Sequence, residues 1–169
     1  VRGTQAGFSL VEVIIAVGIF AVAVVAVLGL LPILARSAAE SADALVAQRL
    51  PAALESELRK SASASSLDAL ASSIPTATTL LENGAAFIAS RDGLRLAPIG
   101  ESTNLIMAGD GYFVIEVWRF PSEPLAFVPG GAVLAIRARV SWPYRLAGSA
   151  TATPFNDRSQ LSFNLAINR

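Results

Sequence analysis

The sequence predicts an α+β fold in which a long N-terminal helix, half membrane-spanning and half amphipathic, packs on an antiparallel sheet of four or five strands. Three observations predict it. Residues 13–31 are apolar and carry no charge, long enough for a helix to cross a bilayer. Beyond them, Leu34, Ala38, Ala42, Leu45, Leu50, Leu54 and Leu58 recur at helical intervals. After Pro75 the period falls to two, and turn residues separate short runs rich in β-branched and aromatic side chains.

The chain has 169 residues, enough for one domain beyond a membrane anchor. Its 13 basic and 13 acidic residues balance to no net charge, which argues against electrostatic capture of nucleic acid. There is no Cys, hence no disulfide framework and no thiolate chemistry. There is also no His, which excludes a Ser-His-Asp relay and a His-ligated zinc. Catalysis would have to rest on carboxylates, Lys60 or Tyr, and Glu116 and Glu123 show no motif spacing. An enzyme is not expected.

The helix begins near Phe8, because a lipid-exposed segment must satisfy its backbone polar groups internally. The 19 residues from 13 to 31, at about 1.5 Å each, cover about 28 Å, close to the hydrocarbon thickness. Pro32 is expected to bend the helix rather than end it. Along the next stretch the apolar stripe is opposed by Arg36, Glu40, Asp43, Arg49 and Glu55, so these charges are expected on the solvent side and the leucines against the downstream domain. Pro51 is a point where this helix can divide. Residues 61–66, four Ser and two Ala, read as its end and a loop. A short helix over 67–74 follows, with Ser66 as its cap and Asp68 in its first turn.

Ala86-Phe87-Ile88-Ala89-Ser90 and Leu94-Arg95-Leu96-Ala97 form a hairpin around Arg91-Asp92-Gly93. Residues 112–120 make a strand apolar on both faces, which suggests a central position. Over 132–142, Leu134, Ile136, Ala138, Val140 and Trp142 face inward while Arg137, Arg139 and Ser141 face out. The last strand, 159–167, alternates in the same way, with Leu161, Phe163, Leu165 and Ile167 inward. Pro121-Ser122-Glu123-Pro124, Pro129-Gly130-Gly131 and residues 147–157 are connections. No internal repeat is visible.

The most informative stretch is Gly7-Phe8-Ser9-Leu10-Val11-Glu12, directly before the apolar run. An ionised carboxylate costs about 2.5–3.5 kcal/mol at a bilayer centre and less near its surface. Glu12 therefore calls for a partner or a purpose. This stretch with the helix behind it resembles the prepilin cleavage and methylation signal of type IV pilins and pseudopilins. The resemblance covers about the first 25 residues. It implies cleavage after Gly7, N-methylation of the new terminal Phe8, and a role for Glu12 in subunit assembly. The implied organisation is a leader over 1–7, a transmembrane assembly helix over 8–34, an amphipathic continuation over 35–60 and a β-sheet domain over 61–169, the pilin-like arrangement. Partners implied are other pilin or pseudopilin subunits, prepilin peptidase, an inner-membrane assembly platform and membrane lipid. No nucleic acid partner is expected. The implied location is the bacterial inner membrane, single-pass, with the C-terminal domain on the extracytoplasmic side. The lack of Cys favours a minor pilin or a secretion-type minor pseudopilin.

The residues agree with the resemblance. Gly7 leaves a protease cleft unobstructed, and after cleavage the Phe8 amine is a cation about one turn, ~6 Å, from Glu12. The pair can form within one chain or between staggered neighbours. Competing readings are an uncleaved anchor carrying a binding module that never polymerises, and a secretory signal cut near Ala35, which its long apolar region opposes. Gly109-Asp110-Gly111 with Asn104 or Glu101 does not match a calcium loop and reads as a turn before a strand. No metal or cofactor is expected. Arg137 and Arg139, with Arg119 nearby, read as a solvated sheet face, and Trp118 and Trp142 as core.

Overall fold

The structure, a computed structural model, describes residues 9–76, 85–101, 109–146, 149 and 151–168. It is α+β. Helix α1 runs Leu10–Ala64 and α2 Leu67–Ser73, followed by β1 (Ala85–Ser90), β2 (Leu96–Pro98), β3 (Gly111–Arg119), β4 (Val133–Trp142), a 3-10 turn at Phe155–Asp157 and β5 (Ser159–Asn168). The chain forms two compact units, Val1–Ala42 and Asp43–Arg169.

In the first unit every described residue is exposed. Ile15, Phe20 and Val25 keep 56%, 69% and 70% of their surface open. Such side chains on all sides of one helix have no protein core to enter, which is the pattern of a helix made for lipid or for other helices. α1 passes through Pro32 without a break in helical assignment.

In the second unit five strands stand in the order β2-β1-β3-β4-β5, every neighbouring pair antiparallel. The hairpin forms where the Asp-Gly turn predicts it. Gly93 takes φ +73°, and a Cβ there would sit 2.9 Å from Val46 Cγ1, so only glycine serves both the turn and its contact with α1. β3 lies at the centre, as its two-sided apolarity requires. Its inner face, Phe113, Ile115 and Val117, packs with Leu134, Ile136, Ala138 and Val140 of β4 and with Ala47, Leu50, Leu54 and Leu58 of α1. Each fully buried leucine of that stripe contributes about 1.5–3 kcal/mol. α2 adds Leu67, Leu70 and Ala71, and Ser66 caps it, its Oγ accepting from Ala69 N at 3.1 Å.

The helical stripe differs from expectation in its rotation. Asp43 is buried at 8% exposure, whereas Leu45 is 58% exposed. The cause lies in distant partners. Arg91 donates to Asp43 through Nε at 3.1 Å and Nη2 at 3.2 Å, and Tyr112 donates its hydroxyl at 2.6 Å. The Arg91 guanidinium also lies 4.8 Å from the Tyr112 ring centroid. A carboxylate so satisfied can be buried where an unpaired one cannot. Pro51 does not divide α1. Nor does α1 end at Lys60: Ser61, Ser63 and Ser65 bond back to the carbonyls of Glu57, Arg59 and Ser61, hydroxyl contacts that helical serines can make in place of loop ones.

Two readings of the sheet's outer face also need correction. Arg139 is not a solvated charge: Nε and Nη2 donate to Glu116 Oε2 at 2.9 and 2.7 Å, and Ser141 is fully buried. Arg119 does not join Arg137 and Arg139, because its register partner is Ile136 on the inner face. It donates instead to the Ile74 carbonyl at 2.8 Å, holding the end of α2.

Removing the Asp43 carboxylate strands Arg91 and Tyr112 together. Asp43→Ala is expected to cost about 2–3 kcal/mol, read as a lowered urea midpoint with unchanged slope. Tyr112 supplies a pH signature. Burial first, then its bond to Asp43, pushes its pKa from 10.0 up to about 12. A folded-state value above the unfolded one means that the stabilisation is whole below pH 10 and fades as pH rises toward 12. The unfolding midpoint should therefore fall across that window, and Tyr112→Phe should lack this component of the fall.

Candidate functional site

Where α1 begins, the local sequence dictates a specific closure. The first turn of a helix leaves backbone N–H groups without partners. Ser9 stands just before Leu10, and its Oγ accepts from Glu12 N at 3.2 Å, while Glu12 Oε2 accepts from Ser9 N at 2.8 Å. This reciprocal pair is a capping box. The carboxylate is thus bent back toward the chain start, the end where the helix dipole favours negative charge. Glu12 is exposed and has engaged only Oε2 in these bonds. A carboxylate offers about four lone-pair sites, so capacity for a cation is left.

Sequence reasoning singled out Glu12 and passed over Ser9. The signal was present, since Ser followed three residues later by Glu before an apolar run is the capping-box spacing. Gly7 and Phe8 lie outside the described residues.

A model of the prokaryotic N-terminal methylation motif matches residues 2–28. The chain carries the type IV pilin and pseudopilin signal. No curated protein matches the chain, and no solved structure matches it. The pilin signal implies processing by prepilin peptidase and association with other pilin subunits, and it points to a structural protein. Together with the apolar helix it fits a single-pass inner-membrane anchor.

The other candidates resolve into internal contacts. Asp110 pairs with Arg95, and among the described residues no group of three or more acidic residues could hold a metal ion. Asn104 lies outside the described residues. Lys60 pairs with Glu57 at 3.7 Å. Trp142 is core at 8% exposure, while the half-buried Trp118 lies 5.5 Å from the Arg139 guanidinium. A cleft of about 580 Å³ is lined by Ser90, Arg91, Asp92, Arg95, Tyr112 and Arg145, among others. Its charges are largely committed already: Arg91 to Asp43, Arg95 to Asp110, and Asp92 to Ser90.

Ser9→Ala removes the acceptor for Glu12 N and is expected to cost about 1 kcal/mol at the helix start. Hydrogen exchange of the Glu12 amide should then quicken about five-fold, with Ser9→Thr close to wild type.

Proposed function

We propose that the chain is a structural subunit of a type IV pilus-like filament or a type II secretion-like pseudopilus. The leader is 1–7, and cleavage after Gly7 makes Phe8 the N-methylated terminus. Residues 8–34 anchor the subunit in the inner membrane and later pack against neighbouring helices. Residues 35–60 carry the helix into the sheet domain of 61–169, which lies on the extracytoplasmic side, and an inner-membrane platform moves the subunit into the filament.

One conjunction carries this reading. The methylation motif spans 2–28, and the helix it covers has an exposed apolar surface on every side with one carboxylate in its first turn. Lipid satisfies such a surface before assembly. Neighbouring helices satisfy it afterwards, because packed side chains and acyl chains are equally apolar.

Glu12 is the assembly contact. Cutting the Gly7–Phe8 bond leaves the Phe8–Ser9 amide intact, so the capping box persists and keeps the carboxylate turned toward the new amine. In lipid an unpaired amine and an unpaired carboxylate are each costly. A neighbour's Phe8 amine at Glu12 neutralises both and sets axial register between subunits.

Mass spectrometry of the mature protein should find an N-methylated Phe8 as the first residue; an intact leader would sink the reading. Two substitutions separate charge from capping. Glu12→Gln keeps a side chain able to close the capping box but removes the charge, and Glu12→Leu removes both. Both variants should insert in the membrane and fail to co-purify with partner pilins. Normal co-purification of Glu12→Gln would show that the charge has no part in assembly.

A further inference from the structure

The sheet ends in two edge strands of unequal kind. At one edge β2 has 3 residues, Leu96, Ala97 and Pro98. Pro98 has no N–H to offer, and its carbonyl already accepts from Glu101 N at 2.9 Å. Short length and proline are ordinary means of blunting an edge. At the other edge β5 runs for 10 residues, Ser159–Asn168. It holds no proline and no charged residue, and its ladder partner is β4 on one side. In an antiparallel ladder alternate residues turn N–H and C=O to the same side, so every second residue of β5 presents both to the open edge.

The side chains of β5 are left open in the same way. Leu161, Phe163 and Leu165 stand beside Val140, Ala138 and Ile136 of β4 and pack on the margin of the core, yet all three stay half-buried. On the outer face Gln160, Ser162, Asn164 and Ala166 are exposed. Arg137 adjoins them, with Asn164 as its register partner. It is exposed and forms no ion pair among the described residues, whereas Arg139 is committed to Glu116. Arg137 Nε donates to Asn164 Oδ1 at 3.3 Å, which brings the cation to β5. The Phe120 ring, its centroid 5.1 Å away, offers a π face but no counter-charge.

Open ladder groups and uncovered apolar side chains along one uncharged strand are what β-strand addition uses. A second copy of this chain is a poor occupant. Two β5 strands paired antiparallel, as every pair in this sheet is, are related by a two-fold axis through the sheet, which sets their α1 helices in opposite directions. Chains anchored in one membrane by that apolar helix share a direction. The β2 edge of a second copy has too few donors to pair along β5. We propose that β5 accepts an extended segment of a different protein as a further strand. The segment is apolar at alternate positions, which cover Leu161, Phe163 and Leu165, and it carries a carboxylate on the outer face opposite Asn164, where it meets Arg137. A strand spacing of about 4.8 Å puts that carboxylate within reach of the guanidinium.

The probe is a blocked synthetic peptide of about seven residues, with Val at alternate positions, Thr between them and Glu at the centre, titrated against the full chain in detergent. It should bind saturably below about 1 mM, slowing hydrogen exchange at alternate amides of β5 and leaving those of β2 unchanged. N-methylated along one edge, the peptide should bind about ten-fold or more weakly; N-methylated along the other, it should bind as before. Replacing its Glu by Gln should weaken binding about two- to five-fold on the wild type and leave it unchanged on Arg137→Gln, where the cation is gone. The absence of saturable binding, protection away from β5, or equal binding of the two N-methylated peptides would overturn the proposal. So would β5 protection that rises with protein concentration before any peptide is added, the mark of self-pairing, or an Arg137→Gln chain that still tells Glu from Gln.

Discussion

The sheet unit depends on the rotation at which α1 lies against it. Ala47, Leu50, Leu54 and Leu58 reach the core only if one face of the helix is chosen, and Asp43 fixes that face at the point where the unit begins. A leucine stripe alone specifies rotation loosely, since Leu45 and Val46 offer competing apolar positions. A buried carboxylate specifies it sharply, because any other rotation separates it from Arg91 and Tyr112. Arg91 sits at the hairpin turn and Tyr112 at the start of β3. One side chain thereby ties the helix to two parts of the sheet.

What was legible in the sequence followed locality. The Asp-Gly turn, the Ser66 cap and the central place of β3 rest on residues within a few positions of each other, where spacing and propensity act directly. The rotation of α1 was misread because the partners of Asp43 lie 48 and 69 residues away, and a charge on a helix is ordinarily a solvent-side residue. The same holds for Arg139, whose partner Glu116 is 23 residues earlier on the adjacent strand. The end of α1 was misread for another reason. Serine is ambiguous between loop and helix, and the tertiary support of Leu58, with Ala62 packed behind it, tips the balance. Of the candidate N-terminal site, Glu12 is legible by the cost of a carboxylate in lipid, while Ser9 carries no such cost and is legible only through its spacing of three residues from Glu12.

The two units place opposite demands on similar residues. In the sheet unit apolar side chains are consumed by one another, and the polar groups of the interior form pairs such as Glu116 with Arg139. In the first unit the apolar side chains of α1 stay open along its described length. The pilin signal lies on the second kind of surface. The signal points to a structural protein, and an apolar surface of that kind is satisfied by what surrounds the helix.

The capping box has a consequence in time. By taking the Ser9 N–H, Glu12 closes the hydrogen-bond ladder there, so the helix carries its own punctuation mark two residues after the Gly7–Phe8 bond. Under the proposed function the same carboxylate is employed twice in succession, first as a full stop that sets the helix apart from the leader, then as counter-charge for the amine that cleavage releases. A maturation step and a construction step would share a single residue, and neither could be retuned by evolution without disturbing the other.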